Sequence, residues 1–177
     1  MPQAPFFRTL AATGARFAEL AATTWSNWSE KLRTLALRAE TTKSKKSRRI
    51  PLLASVEADL RALREIHREG YGRALKPHEP IFLTPTGQPL VGAYANAKRF
   101  FGDAMERAGL KPVDQRRGRL CMHGLRHTFA SRLARANAGL TQAQMLLGHS
   151  TPELTATVYT HHDDADLRAA VDKLQQA

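Results

Sequence analysis

The stretch MHGLRHTFAS, residues 122–131, sets His123, Arg126 and His127 within five positions. They lie in a segment whose Leu125, Phe129 and Leu133 recur at i, i+4 and i+8, the spacing of an apolar stripe on a helix predicted over His123 to Ala136. That stripe is expected to face the core. His123 and Arg126, three residues apart, then share a neighbouring face near the helix N-terminus, where free backbone N–H groups and the positive end of the dipole favour an anion such as phosphate. LTQAQMLLGHS reads as a short helix capped by Thr141 and ended by Gly148, which leaves His149 on the following loop. STPELTATVYTH opens another helix: Ser150 or Thr151 can cap it, Pro152 fits its first turn, Glu153 completes a capping box, and Tyr159 falls on its second or third turn. His127, at i+4 from His123, suggests a different chemistry, a zinc site with Cys121, His161 or His162. The glutamate of an H-E-x-x-H site is missing and there is no C-x-x-C, so the metal reading is rejected, and His127 is expected to be buried beneath the site.

Composition says what anion to expect. The 177 residues carry 27 Lys and Arg against 16 Asp and Glu, a formal net charge of +11, and a sequence pI near 10.5. That balance suits a polyanion better than an acidic small molecule: nucleic acid first, an anionic membrane surface second. The single cysteine, Cys121, excludes an internal disulfide framework and fits a reducing compartment, so a cytoplasmic location is expected. No signal-peptide pattern and no apolar run of about 18 residues is present, which argues against secretion and membrane spanning. The length suits one domain with a sizeable core.

The remaining elements must position these residues. FFRTLAATGARFAELAATTW, residues 6–25, has apolar residues at helical spacing with a break at Thr13-Gly14, giving two helical pieces with Arg16 just past the turn. Residues 31–53 read as a β-hairpin: KLRTLALRAE alternates, TTKSKKS is a polar turn, and RRIPLL resumes the extended pattern. Lys43, Lys45, Lys46, Arg48 and Arg49 cluster at its tip. SVEADLRALREIHREG is helical, with Ser55 able to cap it and Gly70 to end it; IFLTPTGQPL carries a short strand and a turn. Residues 91–109 form a further helix ending at Gly109, followed by a basic loop, KPVDQRRGR, whose Arg116, Arg117 and Arg119 can track phosphates. The fold class is mixed α/β, mostly helical with a small antiparallel sheet.

HGLRHTFAS, LLGHS and TATVYTH, in this order and spacing, resemble the carboxy-terminal motifs of the tyrosine recombinase (phage integrase) family. Upstream, TGARFAEL resembles the segment holding the family's first active-site arginine, here Arg16, and TTKSKKSRRIPL resembles the hairpin with its active lysine, here Lys43. The resemblance spans about residues 6–165 and implies DNA strand cleavage and rejoining. Arg16 and Arg126 would hold the non-bridging oxygens with planar, always charged donors. Tyr159 would attack phosphorus, forming a 3′-phosphotyrosine link that conserves the bond energy. His123 would accept the tyrosine proton, Lys43 would protonate the departing 5′-hydroxyl, and His149 would donate a hydrogen bond to the phosphate. Neither metal nor cofactor is implied. Lys45, Lys46, Arg48, Arg116, Arg117 and Arg119 are the expected contacts to double-stranded DNA.

Members of the family work as tetramers on DNA. DLRAAVDKL, with Leu167, Val171 and Leu174 at apolar spacing, reads either as a contact to a neighbouring copy or as a segment folded back on its own domain, over about 163–177. Residues 1–177 are expected to be a single catalytic domain without the helical core-binding domain that usually precedes it. Lys45 and Lys46 share the turn with Lys43, which follows Thr41-Thr42 and aligns best. Two other readings stay open: a type IB topoisomerase-like nicking and closing enzyme, and a non-catalytic DNA-binding fragment.

Overall fold

The computed structural model describes residues 2–38, 47–110 and 121–148, together with the backbone of residues 113, 114, 118 and 119. Within these bounds the fold is the expected mixture: six α-helices and a small antiparallel sheet around one core.

Helix α1 (Ala4–Thr13) starts with Pro5 in its first turn, where a missing N–H costs nothing. Its buried Thr9 and Thr13 hydroxyls donate to the Pro5 and Thr9 carbonyls at 2.8 and 2.7 Å, so they enter the core without unmet donors. The helix ends as expected at Gly14, whose φ of +61° closes the cap through an N–H to Leu10 O bond of 3.0 Å. Helix α2 (Phe17–Ala21) follows at once, with Arg16 as its extended N-cap.

The hairpin is present, and a third strand joins it. Strand β2 (Thr34–Leu37) pairs antiparallel with β3 (Arg48–Pro51), with Leu35 opposite Ile50. The alternation turns Leu35, Leu37 and Ile50 inward, each at most 1% exposed. Strand β1 (Trp28–Ser29) lies on the other edge of β2, too short to leave a period in the sequence.

Helix α3 (Ala54–Tyr71) buries Val56, Leu60, Leu63 and His67 on one stripe. Two expected boundaries move. Leu53, not Ser55, is the N-cap, and the helix runs through Gly70 to end at Gly72, which takes the left-handed conformation at φ +62°. IFLTPTGQPL has the expected turn, at Gly87, but a single isolated bridge, Leu83 to Pro89, in place of the expected strand; Pro80, just before it, bridges to Thr24. Helix α4 spans Tyr94–Arg107, three residues inside the expected start. Part of the expected basic loop is a two-stranded hairpin, β4 (Val113–Asp114) with β5 (Gly118–Arg119).

Helix α5 (Met122–Arg135) packs against α1, and α6 (Leu140–Leu147) packs against α5 and β3. The N-cap of α6 is Gly139 and Thr141 lies inside the helix; the Gly139 N–H donates to the Gln142 side chain at 3.1 Å. Gly148 ends it, as expected.

Gly14 is where α1, α5 and α6 meet. A Cβ built there would lie against Phe129 Cδ1 and 3.1 Å from Leu147 Cδ2. Gly14→Ala combines a left-handed L-residue, about 1–2 kcal/mol, with overpacking of about 1–3 kcal/mol. The expected loss is roughly 2–5 kcal/mol, read as a lowered urea midpoint at unchanged slope. A midpoint within error of the parent would show that Phe129 yields freely.

Candidate active site

Helix α5 presents its inner face differently from the expectation. Its fully buried positions are Met122, Arg126 and Ala130, while Leu125, Phe129 and Leu133 are only half-buried. Arg126 is therefore part of the buried stripe, not beside it, at 5% exposure. Its Nη1 donates to the Gly14 carbonyl and its Nη2 to the Leu147 carbonyl, both at 2.6 Å. Leu147 O is one of the orphan acceptors at the end of α6, where the helix dipole also favours a cation. No carboxylate pairs directly with Arg126 among the described residues. Burial first, then the neighbouring Arg16, push its pKa down to about 10; Glu19 pulls the other way, and Arg48 adds a smaller push.

Arg16 arrives from the N-cap of α2 with its side chain 29% exposed. Its guanidinium donates to Glu19 Oε1 at 2.7 Å, and its backbone N–H donates to Glu19 Oε2 at 3.0 Å. Glu19 is fully buried and also accepts from Arg48 Nη2 at 2.7 Å on Oε2. Burial alone would raise the Glu19 carboxyl, but the bonds from Arg48 and Arg16 outweigh it and hold it below the usual carboxylate range. Glu19 is the site residue that sequence reasoning missed. Its one signal was its place three residues after Arg16 in TGARFAEL, which does not reveal that it serves two arginines from different elements.

The charge count gives the site its character. Glu19 offsets the charge of Arg48, leaving Arg16 and Arg126 as a net +2 to attract an anion. A cavity of about 690 Å³ opens beside them, lined by Arg16, Phe17, Val91, Tyr94 and His123 among others. A smaller one of about 70 Å³ joins Arg16, His123 and Arg126 to Tyr94.

His123 is exposed on the first turn of α5, its ring edge-on to that of His127 at 5.0 Å. Partial desolvation, then the charges of His127, Arg126 and Arg16, lower its pKa, so at neutral pH it is an unprotonated base able to accept a proton. His127 is exposed, which corrects the expectation that it packs beneath the site: at i+4 it shares the outward face of His123.

Arg48 also departs from expectation. Its place at the hairpin tip suggests a DNA contact, but its side chain is 10% exposed, with Nη2 on Glu19 and Nε donating to the Leu146 carbonyl at 3.0 Å. Arg119 lies on β5, with only its backbone described. Lys43, Lys45, Lys46, Arg116, Arg117, His149, Tyr159, His161 and His162 lie outside the described residues, as do Leu167, Val171 and Leu174. No described helix is long and apolar enough to cross a membrane.

Known proteins resemble this chain along most of its length. The tyrosine recombinase XerC of Bacillus subtilis (strain 168) is 30% identical over 160 residues, covering 90% of this chain and 49% of the relative. The XerC of Methylobacterium sp. (strain 4-46) is 32% identical over 130 residues, covering 73% of this chain and 37% of the relative. The chain thus spans about half or less of the length of the curated relatives it matches. Among solved structures, the Tn1549 transposon integrase in complex with transposon right end DNA superposes with a TM-score of 0.74 at 21% identity, over 98% of this chain and 58% of that one. The XerH recombinase bound to difH substrate superposes with a TM-score of 0.69 at 25% identity, over 94% and 45%. The phage integrase family matches residues 1–166, and the chain belongs to that family.

Proposed function

We propose that this chain carries the catalytic chemistry of a site-specific tyrosine recombinase, cleaving and rejoining double-stranded DNA through a covalent 3′-phosphotyrosine link. The observation that carries the reading is the arginine cluster: Arg16 and Arg48 share the Glu19 carboxylate, and Arg16 and Arg126 line one cavity with His123. Such an excess of fixed donors is suited to a phosphodiester whose charge grows in the transition state. In cleavage the Tyr159 phenol oxygen bonds to phosphorus and its proton passes to His123. The bond to the 5′-oxygen breaks, with Lys43 supplying that oxygen's proton and His149 bonded to the phosphate. Rejoining reverses each transfer, so no external energy source is needed. The relatives are recombinases, and the solved XerH and Tn1549 integrase are bound to DNA, which supports duplex DNA as the partner. Assembly as a homotetramer on DNA belongs to the same proposal.

Binding should follow counterion release. Log affinity for a fluorescent duplex should fall linearly with log salt, and Lys45→Ala or Lys46→Ala should each shallow the slope by about 0.9. Incubation with a pool of nicked duplexes of randomised sequence, built so that a short fragment leaves after cleavage, should then yield a denaturant-resistant protein–DNA adduct. A flat salt dependence, or salt-sensitive binding with no adduct from any member of the pool, would overturn strand cleavage as the function of this chain.

A further inference from the structure

Arg48 touches both halves of the arginine cluster without lying in the cavity. Its Nη2 bonds to Glu19, the carboxylate that also fixes Arg16 through two bonds. Its Nε bonds to Leu146 O, the carbonyl next to Leu147 O, which accepts from Arg126. The last two carbonyls of α6 are therefore held by two arginines from separate elements, β3 and α5. The packing is close: a Cβ on Gly148 would fall 2.6 Å from Arg48 Nη1. Arg48 Nη1 is buried without an acceptor among the described residues.

We propose that Arg48 is a positioning residue that sets Arg16, through Glu19, and Arg126, through the C-terminus of α6, in one frame. This rests on the reading of Arg16 and Arg126 as the phosphate clamp. A planar fork with donors on different nitrogens can hold a carboxylate and a helix-end carbonyl at once, whereas a lysine ammonium on its flexible stem cannot keep both directions. The role predicts a split between affinity and rate. A phosphate contact contributes to binding and its salt slope, while a positioning residue contributes to the alignment of the reacting groups, where a displacement of about 1 Å can cost about 10²-fold in rate.

The experiment uses the whole chain and two probes, the labelled duplex and the randomised nicked pool. Arg48→Met should form adduct about 10²-fold more slowly per folded molecule. Its duplex affinity should stay near that of the parent and its salt slope unchanged, where loss of a phosphate contact would shallow the slope by about 0.9. Arg48→Lys keeps the charge and should still be slowed by about 10-fold or more, because alignment is what it loses. Amide exchange at Leu147 and Gly148 should accelerate in both variants, with exchange in β2 unaltered. If Arg48→Met does not fold, Arg48→Lys and the isosteric Glu19→Gln carry the test. Full recovery of the rate in Arg48→Lys, or a shallower salt slope in Arg48→Met, overturns the proposal, as does unchanged exchange at the end of α6. A parent chain that forms no adduct overturns strand cleavage instead, and the exchange measurement still decides whether Arg48 frames the cluster.

Discussion

Arg126→Ala is expected to slow adduct formation by about 10²-fold or more, comparable to removing a donor that stabilises a developing oxyanion, while leaving the chain folded. Two opposing effects set the stability. The Gly14 and Leu147 carbonyls each lose a donor, at about 1–3 kcal/mol apiece. Against this, the substitution removes a desolvated cation whose pKa is pushed down to about 10, a disfavouring of the charged form on the order of 3 kcal/mol. The net loss should not exceed about 3 kcal/mol, which a domain of this size withstands. A bound phosphate would offset this penalty, as the proposed phosphate clamp requires. Arg126→Lys should remain well below the parent, because one ammonium cannot reach two carbonyls and still offer a fork to phosphate. The checks are the urea midpoint beside the adduct rate. A rate within threefold of the parent in a folded Arg126→Ala protein would make Arg126 a packing bracket between α1 and α6 and nothing more.

The sequence revealed the elements better than their faces. The β2–β3 hairpin was legible because Thr34–Leu37 alternates strictly and RRIPL supplies a matching run, whereas β1 is two residues long and exists only through its pairing with β2. The end of α3 was misplaced because EGYG offers two glycines and only the left-handed turn chooses between them. The buried face of α5 was misjudged for a deeper reason. Hydrophobic periodicity puts Leu125, Phe129 and Leu133 inside, but the buried position is taken by a cation whose acceptors lie 112 and 21 residues away in sequence. Arg48 and Glu19 share that character: each is one charge in a row of charges until the fold brings β3, α2 and α6 together. Spacing put His123 and Arg126 on one helix face, and the family resemblance joined Arg16 to them. Which of them is buried, and what holds it there, depends on tertiary contacts.

Tyr159→Phe is expected to abolish the covalent adduct while leaving duplex affinity and folding as they are, since it removes one oxygen and keeps the ring. Tyr159 lies outside the described residues, so its assignment rests on its place after LLGHS and on the chemistry of the groups that would serve it. The structure supplies its strongest competitor. Tyr94 lines both cavities with Arg16 and His123, is 51% exposed, and stands edge-on to Phe17 at 5.1 Å. A phenol beside two guanidinium groups and a neutral imidazole has what a nucleophile needs except the family's motif. Tyr71 is also exposed but lines neither cavity. The discriminating comparison is therefore Tyr159→Phe against Tyr94→Phe on the randomised nicked pool, with the adduct digested and the modified peptide identified by mass. If Tyr159 is the nucleophile, Tyr94→Phe still yields an adduct on the Tyr159 peptide, and Tyr159→Phe yields none. An adduct that survives in Tyr159→Phe and vanishes in Tyr94→Phe would transfer the reaction to the N-terminus of α4, whose ring already stands at the arginines.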